Sequence, residues 1–163
     1  MAQLTYTSAV IDDLLEDLND KSSVYAYLSA SATTTTTAAT TWYPIQGTFV
    51  NDFVNFELDT DKIKYIGTNS YKFEIDWSIK LASDTANTTL NVTVAINGTP
   101  TEETKMGLFL KTAGDAYTFS GTQVITLDTN DTVQLIVQSD KSGAVLTVGQ
   151  LVTTLNKFTI PRQ

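Results

Sequence analysis

The 163-residue sequence contains no cysteine and no histidine. These two absences exclude a thiol nucleophile, a Ser/His triad, a zinc site with the usual ligands and a haem attachment motif. Without cysteine there is also no disulfide framework from which to read a redox compartment. Glycine (8) and proline (3) are sparse, and no glycine-rich phosphate loop is present. Gly98, Gly114, Gly121 and Gly143 stand singly and read as turn residues. Positive charge is also scarce: 10 Lys+Arg against 18 Asp+Glu give a formal charge of -8, a mean field that repels a phosphate backbone. No apolar run approaches the roughly 20 residues of a membrane span. The start, Met1 to Thr5, has no basic region leading into an apolar stretch, so no signal peptide is expected. Nucleic acid and membrane are therefore not expected partners.

What remains is the composition of a packed globular domain, 42% hydrophobic and 17% charged, at a length that suits one domain with a small appendage. The segment Thr7 to Asp20 predicts a helix, with Thr7 or Ser8 as cap and Val10, Ile11, Leu14, Leu15 and Leu18 at helical spacing. Ile11, Leu14 and Leu18 follow a coiled-coil seam, while Asp12, Asp13, Glu16 and Asp17 face away from it. A helix of about four turns is marginal alone, so this one needs a partner surface, either its own domain or another chain. Next come VYAYL (Val24 to Leu28) and an uncharged tract from Ser29 to Thr41 that includes five consecutive threonines, Thr33 to Thr37. Their β-branched side chains favour extended backbone, and the tract reads as a linker or a first strand.

From Trp42 onward the patterning is β throughout. Lys72 to Leu81 alternates Phe73, Ile75, Trp77, Ile79 and Leu81 with polar neighbours. Leu90 to Ile96 does the same and runs into Asn97-Gly98, a strong hairpin signal. FVNFEL, KIKYI, KMGLFL, YTFSG, TQVITL, VQLIV and AVLTVGQLVTTLNKFTI supply further strands, with turns at 112–115, 129–131 and 140–143. Eight to ten strands with no intervening helix describe a mainly β, antiparallel jelly-roll sandwich, here preceded by the short N-terminal α-helix. The expected organisation is 1–22 helix, 23–45 Thr-rich linker or first strand, and 46–163 sandwich.

The chemistry-bearing constellations are few. Glu102 and Glu103 are adjacent and sit beside a hairpin turn, so they read as a solvated loop rather than an acid/base pair. Asp59/Asp61 and Asp128/Asn130/Asp131 are rich in oxygen but lack the remaining ligands of a calcium loop, and read as inter-strand turns. Lys62, Lys64, Lys72 and Lys80 fall on outward phases of strands. Trp42 and Tyr43, followed by Pro44, read either as an exposed aromatic contact for sugar or protein or as a plug at one end of the sandwich. No catalytic residue, metal site or cofactor site is expected.

Residues 46–160 resemble the C1q/tumour-necrosis-factor type of jelly roll. The resemblance rests on Ala95-Ile96-Asn97-Gly98, on Leu127-Asp128-Thr129-Asn130-Asp131-Thr132-Val133-Gln134-Leu135 with Asn130 where glycine is usual, and on a final strand Leu155 to Ile160. It implies a homotrimer with that final strand returning to the trimer centre. The opening LTYTSAVIDDLLEDLNDK resembles the short helix that begins many small bacteriophage virion proteins, where it precedes a trimeric β-domain. Together the two resemblances imply a non-enzymatic virion protein of the capsid decoration type, a cement protein or head fibre. It would be made in the bacterial host cytoplasm and located on the capsid surface, with the major capsid protein as partner. Ile11, Leu14, Leu15 and Leu18 would then serve oligomerisation or attachment. The alternative is a receptor-binding module of a tail fibre or tail tip that recognises host surface glycan, with Trp42 and Tyr43 as the exposed contact.

Overall fold

The computed structural model describes residues 22–47 and 49–158. The helix expected over 7–20, with Ile11, Leu14, Leu15 and Leu18, lies outside the described residues. Among the described residues the helical structure is a three-residue 3-10 turn, Glu102–Thr104. The strands are β1 (Ser23–Leu28), β2 (Ala32–Thr36), β3 (Trp42–Pro44), β4 (Phe49–Val54), β5 (Phe56–Asp59), β6 (Lys62–Tyr65), β7 (Tyr71–Ser83), β8 (Thr88–Ile96), β9 (Thr99–Pro100), β10 (Met106–Leu110), β11 (Ala116–Leu127), β12 (Thr132–Ser139) and β13 (Ala144–Lys157).

They form two antiparallel sheets. The first runs β11-β7-β13-β1-β4, with β2 also on β13; the second runs β10-β8-β12-β6-β5, with β3 also on β12 and β9 on β8. Alternation decides which side chains lie between the sheets. In β7 Phe73, Ile75, Trp77, Ile79 and Leu81 are buried, while Lys72 and Lys80 point outward. In β8 and β12 the inward set is Leu90, Val92 and Val94 with Val133, Leu135 and Val137. One end of the core is an aromatic cluster, Phe56, Tyr65 and Phe73, with ring centroids 5.1 to 5.2 Å apart. The Tyr65 hydroxyl donates to the Asn69 carbonyl at 2.9 Å, so the buried ring carries no orphan polar group there.

The described strands number thirteen, more than the eight to ten expected, because two long strands each take two short partners end to end. β13 pairs through Ala144–Val148 with β2 and through Val152–Asn156 with β1. β12 pairs through Thr132–Val133 with β6 and through Ile136–Gln138 with β3. Within β13 the register slips between Val148 and Gln150. The extra residue switches the inward phase from Ala144, Leu146 and Val148 to Leu151 and Leu155.

The uncharged tract is structural. Ala32–Thr36 forms β2, in which Thr34 and Thr36 are buried and Thr33 and Thr35 exposed. The Thr36 hydroxyl is 3.1 Å from each of the carbonyl oxygens of Lys141 and Ala144. One glycine assignment is corrected. Gly121 is not in a turn: YTFSG and TQVITL are one strand, β11, and Gly121 lies opposite Trp77. A Cβ at Gly121 would sit 2.8 Å from the Trp77 ring, so the glycine is required by close approach. Gly98, Gly114 and Gly143 do occupy turns, with φ of +77, +84 and +79 degrees.

Candidate functional site

Two surfaces stand out, one on the outward face of each sheet. On the first sheet, β1 buries the small residues Val24 and Ala26, which leaves Tyr25 and Tyr27 pointing outward, 48% and 37% exposed. Their rings lie 5.7 Å apart. Across the ladder Tyr27 is opposite Val152, then Ser78 and Ser120 follow; Tyr25 is opposite Thr154, then Asp76 and Thr122 follow. A tyrosine ridge on β1 therefore borders a floor of short side chains on β13, β7 and β11. An open trough of about 440 Å³ runs over that floor, lined by Ser78, Ser120, Thr122, Val152 and Thr154 among others. The Thr122 hydroxyl donates to Asp76, so this carboxylate on the floor is already engaged. Val124 and Val54, 46% and 44% exposed, extend the apolar part of the face.

On the second sheet, the pairing of β3 with β12 sets Trp42 beside Gln138 and Pro44 beside Ile136 on the outward face. Tyr43 takes the opposite phase, beside Val137. Trp42 and Tyr43 are thus neighbours in sequence but work on different sides of the sheet. The Lys105 ammonium lies 5.8 Å from the Trp42 ring centroid. The Tyr43 hydroxyl lies 2.9 Å from the Thr37 hydroxyl and accepts the Ala38 N–H at 2.7 Å. The Thr37 bond, helped by the Ala38 N–H, holds this phenol below the ordinary tyrosine value of 10.0, against the opposing effect of desolvation. Where β3 ends and β6 has not begun, the edge of β12 faces a groove of about 500 Å³ bordered by Trp42, Pro44, Asp59, Asp61 and Gln134.

The other candidates separate cleanly. Glu102 and Glu103 sit exposed on the 3-10 turn, with Glu102 Oε2 3.6 Å from Lys105 Nζ. Asp59 and Asp61 flank the β5–β6 hairpin, and Lys64 pairs with Glu57 across that hairpin at 2.8 Å. Among the described residues no group of three or more Asp, Glu, His or Cys converges on a metal-sized site. The sequence reading did not single out Tyr25, Tyr27 or Gln134. VYAYL holds the signal for the first two, since small Val24 and Ala26 alternate with the tyrosines. Gln134 carries no comparable mark.

No protein-family model and no curated protein matches the chain. Solved structures do match it in fold. Eiger TNF of S. frugiperda superposes at a TM-score of 0.55 with 8% identity over 88% of this chain and 98% of that one. Murine APRIL gives 0.55 with 11% identity over 82% and 98%. The fold is a tumour-necrosis-factor-type jelly roll. PRD1 vertex protein P5 aligns more weakly, at a TM-score of 0.45 with 13% identity over 85% and 99%. In this jelly roll the two motifs of the resemblance meet in space: Asn97, after β8, contacts Asp131, before β12. Asn130, standing where glycine is usual, has φ +74 degrees, a conformation asparagine tolerates better than most residues.

Proposed function

We propose that the chain is a non-enzymatic structural protein that assembles as a homotrimer through the outward face of the first sheet. The observation that carries this reading is the tyrosine ridge beside a trough of short side chains. Ridge and trough are different parts of one face, and a head-to-tail contact that sets one into the other closes a ring. Tyrosine suits such a contact because a broad apolar ring is buried while its hydroxyl stays at the wet rim.

The setting we propose for the trimer is a bacteriophage virion, where it decorates the capsid as a cement protein or head fibre and binds the major capsid protein. Support comes from the resemblance of the opening segment to small virion proteins and from the absence of histidine and cysteine. Ile11, Leu14, Leu15 and Leu18 would provide attachment or reinforce the trimer. A ligand that binds only the assembled shell stabilises it by mass action, and three linked copies raise that effect by avidity.

The test is absolute mass by light scattering on the full chain, on a version lacking residues 1–22, and on Tyr25→Lys/Tyr27→Lys. Three protomers for the first two and one for the double variant are expected. A monomeric full chain would refute the reading. Ile11→Asp/Leu18→Asp is expected to lower occupancy on capsids while leaving the β-domain folded; unchanged occupancy removes that segment from the attachment mechanism.

A further inference from the structure

The turn between β8 and β9 carries a reactive pair that the self-association reading does not use. Of the chain's asparagines, Asn97 alone is followed by glycine. In such a pair the main-chain nitrogen of the glycine can reach the side-chain carbonyl carbon of the asparagine, because no side chain blocks the approach. Asn97 and Gly98 are both exposed, and a Cβ placed on Gly98 would meet nothing within 4 Å. Asn87 and Asn130 are also exposed and at positive φ, but a threonine and an aspartate follow them and shield the corresponding nitrogen.

The Asn97 side chain is held at both ends. Its Nδ2 donates to Asp131 Oδ1 at 2.7 Å, and its Oδ1 accepts the Thr132 N–H at 2.9 Å. Asp131 is itself fixed, since its Oδ2 accepts the Asp128 N–H at 2.8 Å. The nitrogen that donates to Asp131 is the one that attack by Gly98 would expel, so that bond must break before the reaction completes. Attack also builds negative charge on the Asn97 oxygen, and a carboxylate beside the amide opposes it.

We infer that Asn97 is a self-modification site, converted to aspartate and isoaspartate through the Gly98 nitrogen, and that its bonds to Asp131 and Thr132 set the rate. The Gly98 nitrogen gives its proton to hydroxide and bonds to Asn97 Cγ. The Cγ–Nδ2 bond breaks, and Nδ2 leaves as ammonia with a proton taken from water. The product is a cyclic succinimide, and water then adds to either of its carbonyl carbons. Cleavage at Cγ leaves aspartate at 97; cleavage at the main-chain carbonyl leaves the chain running through Cβ, as isoaspartate. In net terms a water enters and an ammonia leaves, with no change of oxidation state. Local opening of the side-chain bonds, rather than unfolding of the sandwich, limits the conversion. Aspartate replaces the donor to Asp131 with a second carboxylate, so attraction becomes repulsion. Isoaspartate lengthens the main chain inside a tight turn closed by the pairing of Ile96 with Thr99. Either product irreversibly unfastens this turn from the one before β12.

The experiment is incubation of the full chain at neutral and mildly alkaline pH, then tryptic digestion and mass-spectrometric fragmentation of the 81–105 peptide, which holds Asn87, Asn91 and Asn97 together. The acid product is expected at Asn97 before either of the others, as a mixture of aspartate and isoaspartate, and faster as hydroxide rises. Asp131→Ala is expected to form it several-fold faster than the wild type. Gly121→Val presses a side chain on the Trp77 ring in the other sheet and separates loss of these bonds from loss of stability; it should leave the rate unchanged. Far-UV circular dichroism checks that each variant is folded. Absence of product at Asn97 in Asp131→Ala overturns the inference, as does equal conversion in Asp131→Ala and wild type. Equal acceleration by Gly121→Val, earlier conversion at Asn87 or Asn91, or product free of isoaspartate overturns it as well.

Discussion

The Asn97 side-chain amide donates to Asp131 Oδ1 at 2.7 Å, joining the turn after β8 to the turn before β12. The same asparagine accepts the Thr132 N–H at 2.9 Å through Oδ1, and Asp131 Oδ2 accepts the Asp128 N–H at 2.8 Å. Asn97 also has φ +51 degrees and Gly98 +77, the pair of left-handed residues that a tight hairpin needs. Asp131→Ala removes two of these bonds and is expected to cost about 1 to 2 kcal/mol. Asn97→Gly loses the side-chain bonds but keeps the backbone relaxed. Asn97→Ala loses both and should fall roughly 1 kcal/mol below Asn97→Gly. Urea denaturation midpoints check the order.

Gly121 and Trp77 are complementary partners across the β11–β7 ladder. Valine suits a strand by propensity, yet its Cβ would press on the indole from 2.8 Å. Gly121→Val should therefore destabilise by about 1 to 3 kcal/mol despite the better strand former. Thermal melting gives the sign, and a changed tryptophan emission maximum would report displacement of the Trp77 ring.

Thr60 offers the opposite case. It occupies the two-residue turn between β5 and β6 with φ +62 degrees, a conformation that β-branched side chains disfavour. Four other residues at positive φ, Asn55, Asn87, Asn97 and Asn130, are asparagines. Thr60→Asn should raise stability by about 1 kcal/mol, read as a higher melting temperature. No gain would mean that the threonine is held there by contacts worth as much as the strain.

Asp140 gives a pH dependence. Burial alone would raise its carboxyl, but the Thr89 N–H and the Thr88 hydroxyl, each donating to Oδ1 at 2.8 Å, and nearby Lys141 outweigh it and hold the group below 3.8. A depressed folded value adds stability that is present above the unfolded value and lost as pH falls through the folded one. The gap between wild type and Asp140→Asn should accordingly be widest above about pH 5 and close below the ordinary carboxylate range. Because Asp140 is exposed, high salt should narrow the gap. Denaturation midpoints across pH 2.5 to 7 with and without added salt, as the chosen conditions, decide it.

The central strands were legible in the sequence because their inward phase is apolar and their outward phase polar. Phe73 to Leu81 and Leu90 to Ile96 state their burial in their alternation, and Asn97-Gly98 states the turn. The peripheral strands were harder. β2 buries threonines whose hydroxyls are satisfied by carbonyls 105 and 108 residues away, so no apolar period marks it. β11 contains a glycine whose cause, the ring of Trp77, lies on another strand. The groove was legible only in part: Trp42 is conspicuous as an aromatic, whereas the groove beside it comes from a gap between β3 and β6 that exists only in the assembled sheet.

The sharing of β13 by β1 and β2 bears on how the chain reaches this structure. Thr36 and Ala144 pair across 108 residues, and Ser23 pairs with Asn156. These early strands, the first among the described residues, thus find their common partner only in β13, and the first sheet cannot close until residues 144–157 have emerged from the ribosome. Contacts of such long range fold slowly. Until then β1 and β2 present open edges to every other nascent copy nearby, which makes the crowded polysome the place where this chain is most exposed to mispairing.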